Sequence, residues 1–407
     1  MRGRRSVGSQ VLGIGLLASL LPLSGCYTSN SEGDLLGVTV VDGHGGDVDG
    51  GPQVEDPLVV RPPMGGPVTE RLKLDLLFVV DTSNSMAEEQ VRLSALIPDT
   101  LRMILSGDLD RDGSPDAQGI PDIHVGIITP DLGTGRVTVS TCGRYFGDDG
   151  ILQSIGVAGD CDSGGQRSFL RLTSEDTGGV AELLDDSSCV ANAGLNGCGF
   201  EQPLEAVMKA LAGDASTLSF RDGTVGHANA ANHGFLRHDS TLAIVLITDE
   251  DDCSVPDVSL FDNRSPLFSG SLNLRCVSYP DHLHPLRRFV DGLAEVRGGD
   301  LRNTVFLSVV GVPTDLVPNA STPDYVGVLA DSRMREQVDP EHPTRLRTTC
   351  HTPTGSAYPA RRIIRFGQLL EARGATTLLG SICEQDYEPM LNRFAEDILR
   401  QTQPDAR

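Results

Sequence analysis

The chain has 407 residues, of which 39% are hydrophobic and 22% charged, and its formal net charge is −23. That excess of acid argues against nucleic acid and against unaided adhesion to anionic lipid, since both require cationic surface. The apolar fraction is ordinary for a globular domain, so a core of good size is feasible.

The first 26 residues read as a targeting segment. Arg2, Arg4 and Arg5 form a positive region, and Val11 to Leu23 an apolar core too short for a comfortable membrane span. The segment closes on Leu23-Ser24-Gly25-Cys26, which resembles the bacterial lipobox L-[AS]-[GA]-C. The resemblance implies cleavage before Cys26, lipidation of Cys26, and an exported protein anchored by lipid in the bacterial cell envelope. In well-studied lipoproteins an Asp after the Cys favours inner-membrane retention. Tyr27 stands there instead, so the outer membrane is expected.

Cys26 aside, eight of the nine cysteines remain, an even number suited to an oxidising compartment. Eight cysteines permit about 105 pairings. Proximity favours Cys142–Cys161, Cys189–Cys198, Cys253–Cys276 and Cys350–Cys383. No C-x-x-C occurs, which argues against thiolate metal sites.

Residues 27–70 have the composition of a tether. Gly and Asp fill most of 42–51, and prolines recur at 52, 57, 62, 63 and 67. Such a stretch cannot bury enough apolar surface to offset the entropy of ordering. As a flexible coil it spans roughly 35 Å root-mean-square. A single domain over 71–403 is expected to follow, with no internal repeat and with loop-rich insertions near 142–198, 254–280 and 312–361.

Leu74 to Val80, interrupted only by Asp75, has the pattern of a strand buried on both faces. It stops at Asp81-Thr82-Ser83-Asn84-Ser85, and a helical pattern starts near Met86, with Leu93, Ile97, Leu101 and Ile104 on one face and Pro98 expected to kink it. A carboxylate and two hydroxyls at alternate positions thus sit at the carboxyl end of a central strand, where open α/β sheets bind ligands. Hard oxygen donors of this kind suit Mg²⁺, Mn²⁺ or Ca²⁺. Glu88 and Glu89 in the first helical turn complement the helix dipole. Their spacing also resembles the second, adjacent metal site of integrin β-subunit type A domains, and that resemblance implies a second ion as the other reading.

Asp108, Asp110 and Asp112 alternate ahead of Gly113, as in the first half of a calcium loop. Gly119 stands where an EF-hand needs its bidentate Glu, leaving a partial calcium site or an acidic surface turn. Ile123 to Thr129 predicts the second strand and Val137 to Ser140 a hairpin partner for it. Glu201 to Ala212 predicts a helix, and Leu242 to Thr248 a strand that runs into Asp249-Glu250-Asp251-Asp252. Four successive carboxylates repel one another and invite a cation. Further helices are expected around Leu286–Leu293, Ile363–Leu370 and Leu391–Ile398, and strands at Thr304–Val310 and Thr376–Ile382. The alternation predicts a doubly wound, mainly parallel sheet flanked by helices.

Asp81-Thr82-Ser83-Asn84-Ser85 fits D-x-S-x-S, the first element of the metal-ion-dependent adhesion site of von Willebrand factor type A domains. Together with Gly199-Phe200-Glu201-Gln202-Pro203, Gly234-Phe235-Leu236-Arg237 and Thr248-Asp249-Glu250-Asp251-Asp252-Cys253-Ser254, it resembles a group of bacterial type A lipoproteins over most of 71–403. The resemblance implies a Rossmann-like fold with one divalent cation, Mg²⁺ before Mn²⁺ or Ca²⁺, on Asp81, Ser83, Ser85 and, through water, Asp249. It implies a protein partner whose acidic side chain completes the shell. Where the family supplies a Thr hydroxyl, this chain has none, and Glu201 is the nearest oxygen donor. As a ligand, Glu201 favours an enclosed, structural ion; its other reading is a first-turn helical Glu. No H-E-x-x-H, G-x-S-x-G or G-x-x-x-x-G-K-[ST] occurs, so a binding or structural protein is expected rather than an enzyme.

Overall fold

The computed structural model describes residues 72–143, 145–156, 159–161, 168–173, 179–318, 323–352 and 355–403. The expected signal segment, Cys26 and the 27–70 tether lie outside them. Apolar runs rich in Val, Ile and Leu form the strands β1 (Lys73–Val80), β2 (Asp122–Ile128), β3 (Leu170–Leu172), β4 (Thr241–Ile247), β5 (Thr304–Val310) and β6 (Thr376–Ser381). They build one six-stranded sheet in the order β6-β5-β4-β1-β2-β3. All neighbours are parallel except the edge pair β2 and β3.

Side chains alternate across β1, so the strand feeds two cores. Leu74, Leu76, Phe78 and Val80 face α1 (Ala87–Ser106), α2 (Gly179–Ala191) and α6 (Glu388–Thr402). Leu77 and Val79 face α3 (Pro203–Leu211), α4 (Leu286–Val296) and α5 (Arg361–Ala372). A third cluster, including Cys198, Phe200, Cys253, Val255, Phe261 and Cys276, lies under the loops at the carboxyl end of the sheet. From β1 the chain first adds β2 on one side and later β4 on the other. Strand order therefore reverses at β1 and β4, which opens a crevice at their carboxyl ends. Among the described residues no helix is long and apolar enough to cross a membrane.

Three expectations are corrected. First, Val137 to Ser140 is no strand; Val139 makes only an isolated bridge to Cys142, and β2 takes its outer neighbour from Leu170–Leu172. Second, 142–198 contains a regular element, the 13-residue helix α2, whose Leu183, Leu184 and Val190 are buried against α1. Third, the first four domain cysteines do not pair in sequence. Cys142 joins Cys198, and Cys161 joins Cys189 within that loop. Cys189 lies in the last turns of α2, which carries it back towards the short ladder of Ile155–Gly156 with Gly159–Asp160. Cys253–Cys276 and Cys350–Cys383 are formed as expected. α1 runs from Ala87 to Ser106 with Pro98 inside it.

The amino end of the sheet carries a paired buried charge. Asp75 on β1 is fully buried and accepts hydrogen bonds from the Arg237 backbone N–H (2.6 Å), Arg237 Nε (2.8 Å) and the Ser240 hydroxyl. Arg237 also pairs with Asp122 on β2. His124 Nδ1 lies 2.8 Å from the Phe235 carbonyl oxygen, and burial pushes this imidazole down to about 4. The segment carrying Arg237 docks because Gly126 leaves room for Phe235; a Cβ there would stand 2.7 Å from the ring.

Candidate metal centre

The parallel register brings the D-x-S-x-S loop and the end of β4 together. Val80 pairs with Ile247, and the Asp81 backbone N–H donates to the Ile247 carbonyl at 3.1 Å. Asp81 and Thr248-Asp249 therefore leave neighbouring strands side by side. The Asp81 carboxylate accepts from the Ser83 backbone N–H (2.7 Å) on one oxygen and from the Thr248 hydroxyl (2.6 Å) on the other. Ser83 and Ser85 hydroxyls lie 3.0 Å apart and are half-buried, with exposed Asn84 between them. A single 3-10 turn, Asn84–Met86, then leads into α1. The cap positions Ser83 and Met86 make no side-chain cap hydrogen bond.

Glu201 enters from the other side, on the loop ahead of α3. It is 1% exposed. Its carbonyl accepts from the Cys253 N–H at 2.8 Å, and the next N–H, of Gln202, donates to the Pro130 carbonyl at 3.0 Å. Phe200 stacks on Phe261 with ring centroids 4.1 Å apart. These contacts fix the Glu201 backbone. Because α3 begins only at Pro203, Glu201 precedes the helix and is not a first-turn residue.

The electrostatics of the site are one-sided. Both Glu201 carboxylate oxygens, Asp249 Oδ1 and Glu89 Oε2 are buried without a hydrogen-bond partner. Burial raises the Asp81 carboxyl, opposed by hydrogen bonds from Thr248 and Ser83. Burial first, then the charges of Asp81, Glu250, Asp131 and Asp249, hold Glu201 well above the usual carboxylate range. Asp249 is likewise pushed well up by burial and by Asp81, against a hydrogen bond from Ser85. Desolvation and like charges act in the same direction here, and a bound cation would reverse both. The donor set, carboxylates and hydroxyls without sulfur, suits a hard ion such as Mg²⁺, Mn²⁺ or Ca²⁺.

The other acidic candidates part company. Glu88 is half-buried and pairs with Arg92, whereas Glu89 turns inward towards Asp81 and Asp249. The run after β4 is not four repelling charges around one point. Asp251 accepts from the Arg362 and Ile363 N–H groups at the start of α5. Asp252 accepts from the Leu204 N–H at the start of α3 and pairs with the Arg362 guanidinium. In the 108–116 loop the trio brought within 4.8 Å is Asp108, Asp110 and Asp116. Asp112 is not one of them: its carboxylate accepts from the Ser114 N–H. With Arg111 at φ +62° and Gly113 at φ +92°, the loop folds back and presents Asp116 instead. Among the described residues no other trio of His, Cys, Asp or Glu is that tight, so Asp81, Glu201 and Asp249 do not all lie within 4.8 Å of one another.

Two positioning residues escape sequence reasoning. Gln90 Nε2 donates to the Asp81 and Gly194 carbonyls, both at 2.7 Å, and its Oε1 accepts from the Gly194 N–H. It ties the Asp81 loop to the chain leading to Glu201, and a lone Gln in a helix gives no signal of this. Asp131, three residues beyond β2, accepts from the Gly133 and Cys198 N–H groups. Its place just after a predicted strand was the available cue. No protein-family model matches this chain, and no curated protein matches it.

Proposed function

We propose that this chain is a cell-envelope lipoprotein whose domain is of the von Willebrand factor type A kind. It binds one divalent cation at Asp81, Ser83, Ser85, Glu201 and, through water, Asp249. The observation that carries the reading is the group of buried, unpartnered carboxylate oxygens of Glu201 and Asp249 beside Asp81. Buried charge of one sign is costly unless a counter-charge is supplied. The centre opens to solvent at Ser83, Asn84 and Ser85. There an acidic side chain of a protein partner completes the shell, which makes the domain an interaction module rather than an enzyme. Leu23-Ser24-Gly25-Cys26 supports lipidation at Cys26, with the outer membrane as destination.

The burial of Glu201 favours a second reading, a structural ion with no external ligand. Calorimetric titration of the full chain with divalent ions, comparing wild type with Asp81→Ala, tests the common part: the variant loses binding. Pull-downs from envelope extracts with and without chelator separate the two readings. Ion-dependent capture of an acidic-motif protein supports the first, and ion-dependent stability without capture supports the second. Ion affinity unchanged in Asp81→Ala defeats both.

A further inference from the structure

We propose that Glu201 makes this centre selective for calcium over magnesium. The inference rests on the cation-binding reading and adds which ion it serves. Glu201 is almost fully buried, its carbonyl is held by the Cys253 N–H and the adjoining Gln202 N–H by Pro130, and both its carboxylate oxygens lack a donor. Asp249 Oδ1 and Glu89 Oε2 are buried and unpartnered in the same region. Asp249 acts through water and Glu89 adds only charge. With one oxygen of Asp81 and the Ser83 and Ser85 hydroxyls, the two Glu201 oxygens still make five direct donors, more than a magnesium centre that keeps several waters uses. Mg²⁺ demands near-octahedral geometry, keeps several waters and is held by one or two carboxylates. Ca²⁺ takes 6–8 oxygens in flexible geometry and accepts carboxylates through both oxygens. Negative charge draws either ion inward; ligand number and the cost of stripping water decide between them. A neutral hydroxyl in place of Glu201 would leave fewer donors and suit magnesium. Glu201 is therefore the residue that sets the preference.

The test uses the chelator-stripped full chain carrying Asp110→Asn and Asp116→Asn, which removes the exposed acidic loop as a competing calcium site. CaCl₂ and MgCl₂ are titrated separately by calorimetry. Calcium is expected to bind at least about tenfold more tightly, and the isosteric Glu201→Gln to bring the two ions within about threefold. Magnesium binding as tightly as calcium in the chain with Glu201 intact overturns the inference, and that comparison needs no change in the centre itself. So does a calcium-to-magnesium ratio unmoved by Glu201→Gln in a variant whose thermal unfolding remains cooperative. If neither ion binds, or if Asp81→Ala binds both unchanged, the cation-binding reading falls and takes this inference with it. Binding that depends on Asp81 but is indifferent to the ion defeats the selectivity alone.

Discussion

β1 carries a buried aspartate near each end, and the two ends treat it differently. Asp75 and Asp81 are both 0% exposed. Burial raises both carboxyls, but at Asp75 the Arg237 guanidinium is the largest opposing influence. At Asp81 no cation opposes burial, only the Thr248 and Ser83 donors and, after them, the Glu201 carboxyl, while Glu201 and Asp249 are themselves pressed upward by further carboxylates. Burial of an acid is thus no sign of a metal. What distinguishes the carboxyl end is that the chain gathers acids there and leaves their oxygens without partners.

The sharpest way to break the contrast is to make the two ends alike. Arg237→Met strands Asp75 as a buried unpaired charge, and urea unfolding is expected to show a loss of about 3–5 kcal/mol. In chelator, Asp81→Asn relieves repulsion and is expected to cost little or to stabilise; a comparable loss there would erase the distinction. The second effect belongs to the carboxyl end. A divalent ion at a hundredfold excess over its Kd adds about 2.7 kcal/mol to wild type in chemical denaturation and nothing to Asp81→Asn.

The third is a pH effect of the amino end. The ordinary value of His124 is 6.5, and burial lowers it to about 4 in the folded protein. A depressed folded value means that the contribution is present above 6.5 and is lost as pH falls from there towards 4. His124→Gln should flatten that loss by about 1–2 kcal/mol between pH 7.5 and 4.5 while leaving ion binding at neutral pH unchanged. The smallest effect is at the Gln90 staple. Gln90→Leu removes its hydrogen bonds to Asp81 and Gly194, costing about 1 kcal/mol in stability. It also weakens ion binding severalfold by calorimetry, which a change at the amino end does not do.

The carboxyl end was more legible in the sequence than the amino end. Asp81, Ser83 and Ser85 stand within five residues after an apolar run, and Asp249 directly follows another; strand ends and loop chemistry are local signals. Glu201 was legible only as the nearest oxygen donor, since its aim depends on the Cys253 N–H bonding its carbonyl and on Gln202, next to it, bonding Pro130. Arg237 lies 162 residues from Asp75, and nothing local joins them. The acidic run was misread because its last two members serve helices that start at Pro203 and Arg361, far away in the chain. The cysteine order was misread because proximity along the chain was the only guide in a stretch taken as loops, and α2 decides where Cys189 goes.

If the chain is exported as proposed, emerging amino end first into an oxidising space, the nested pairs set a problem of timing. Cys142 and Cys161 appear before either of their partners, so the first bond chemically available joins two residues that must later separate. The native Cys142 bond waits for Cys198, 56 residues further on. Cys161 waits for Cys189, which comes 28 residues after it on α2. Correct closure therefore requires either slow oxidation relative to synthesis of this stretch or a catalyst that reshuffles an early Cys142–Cys161 bond. The Cys253–Cys276 and Cys350–Cys383 pairs, met consecutively, need neither.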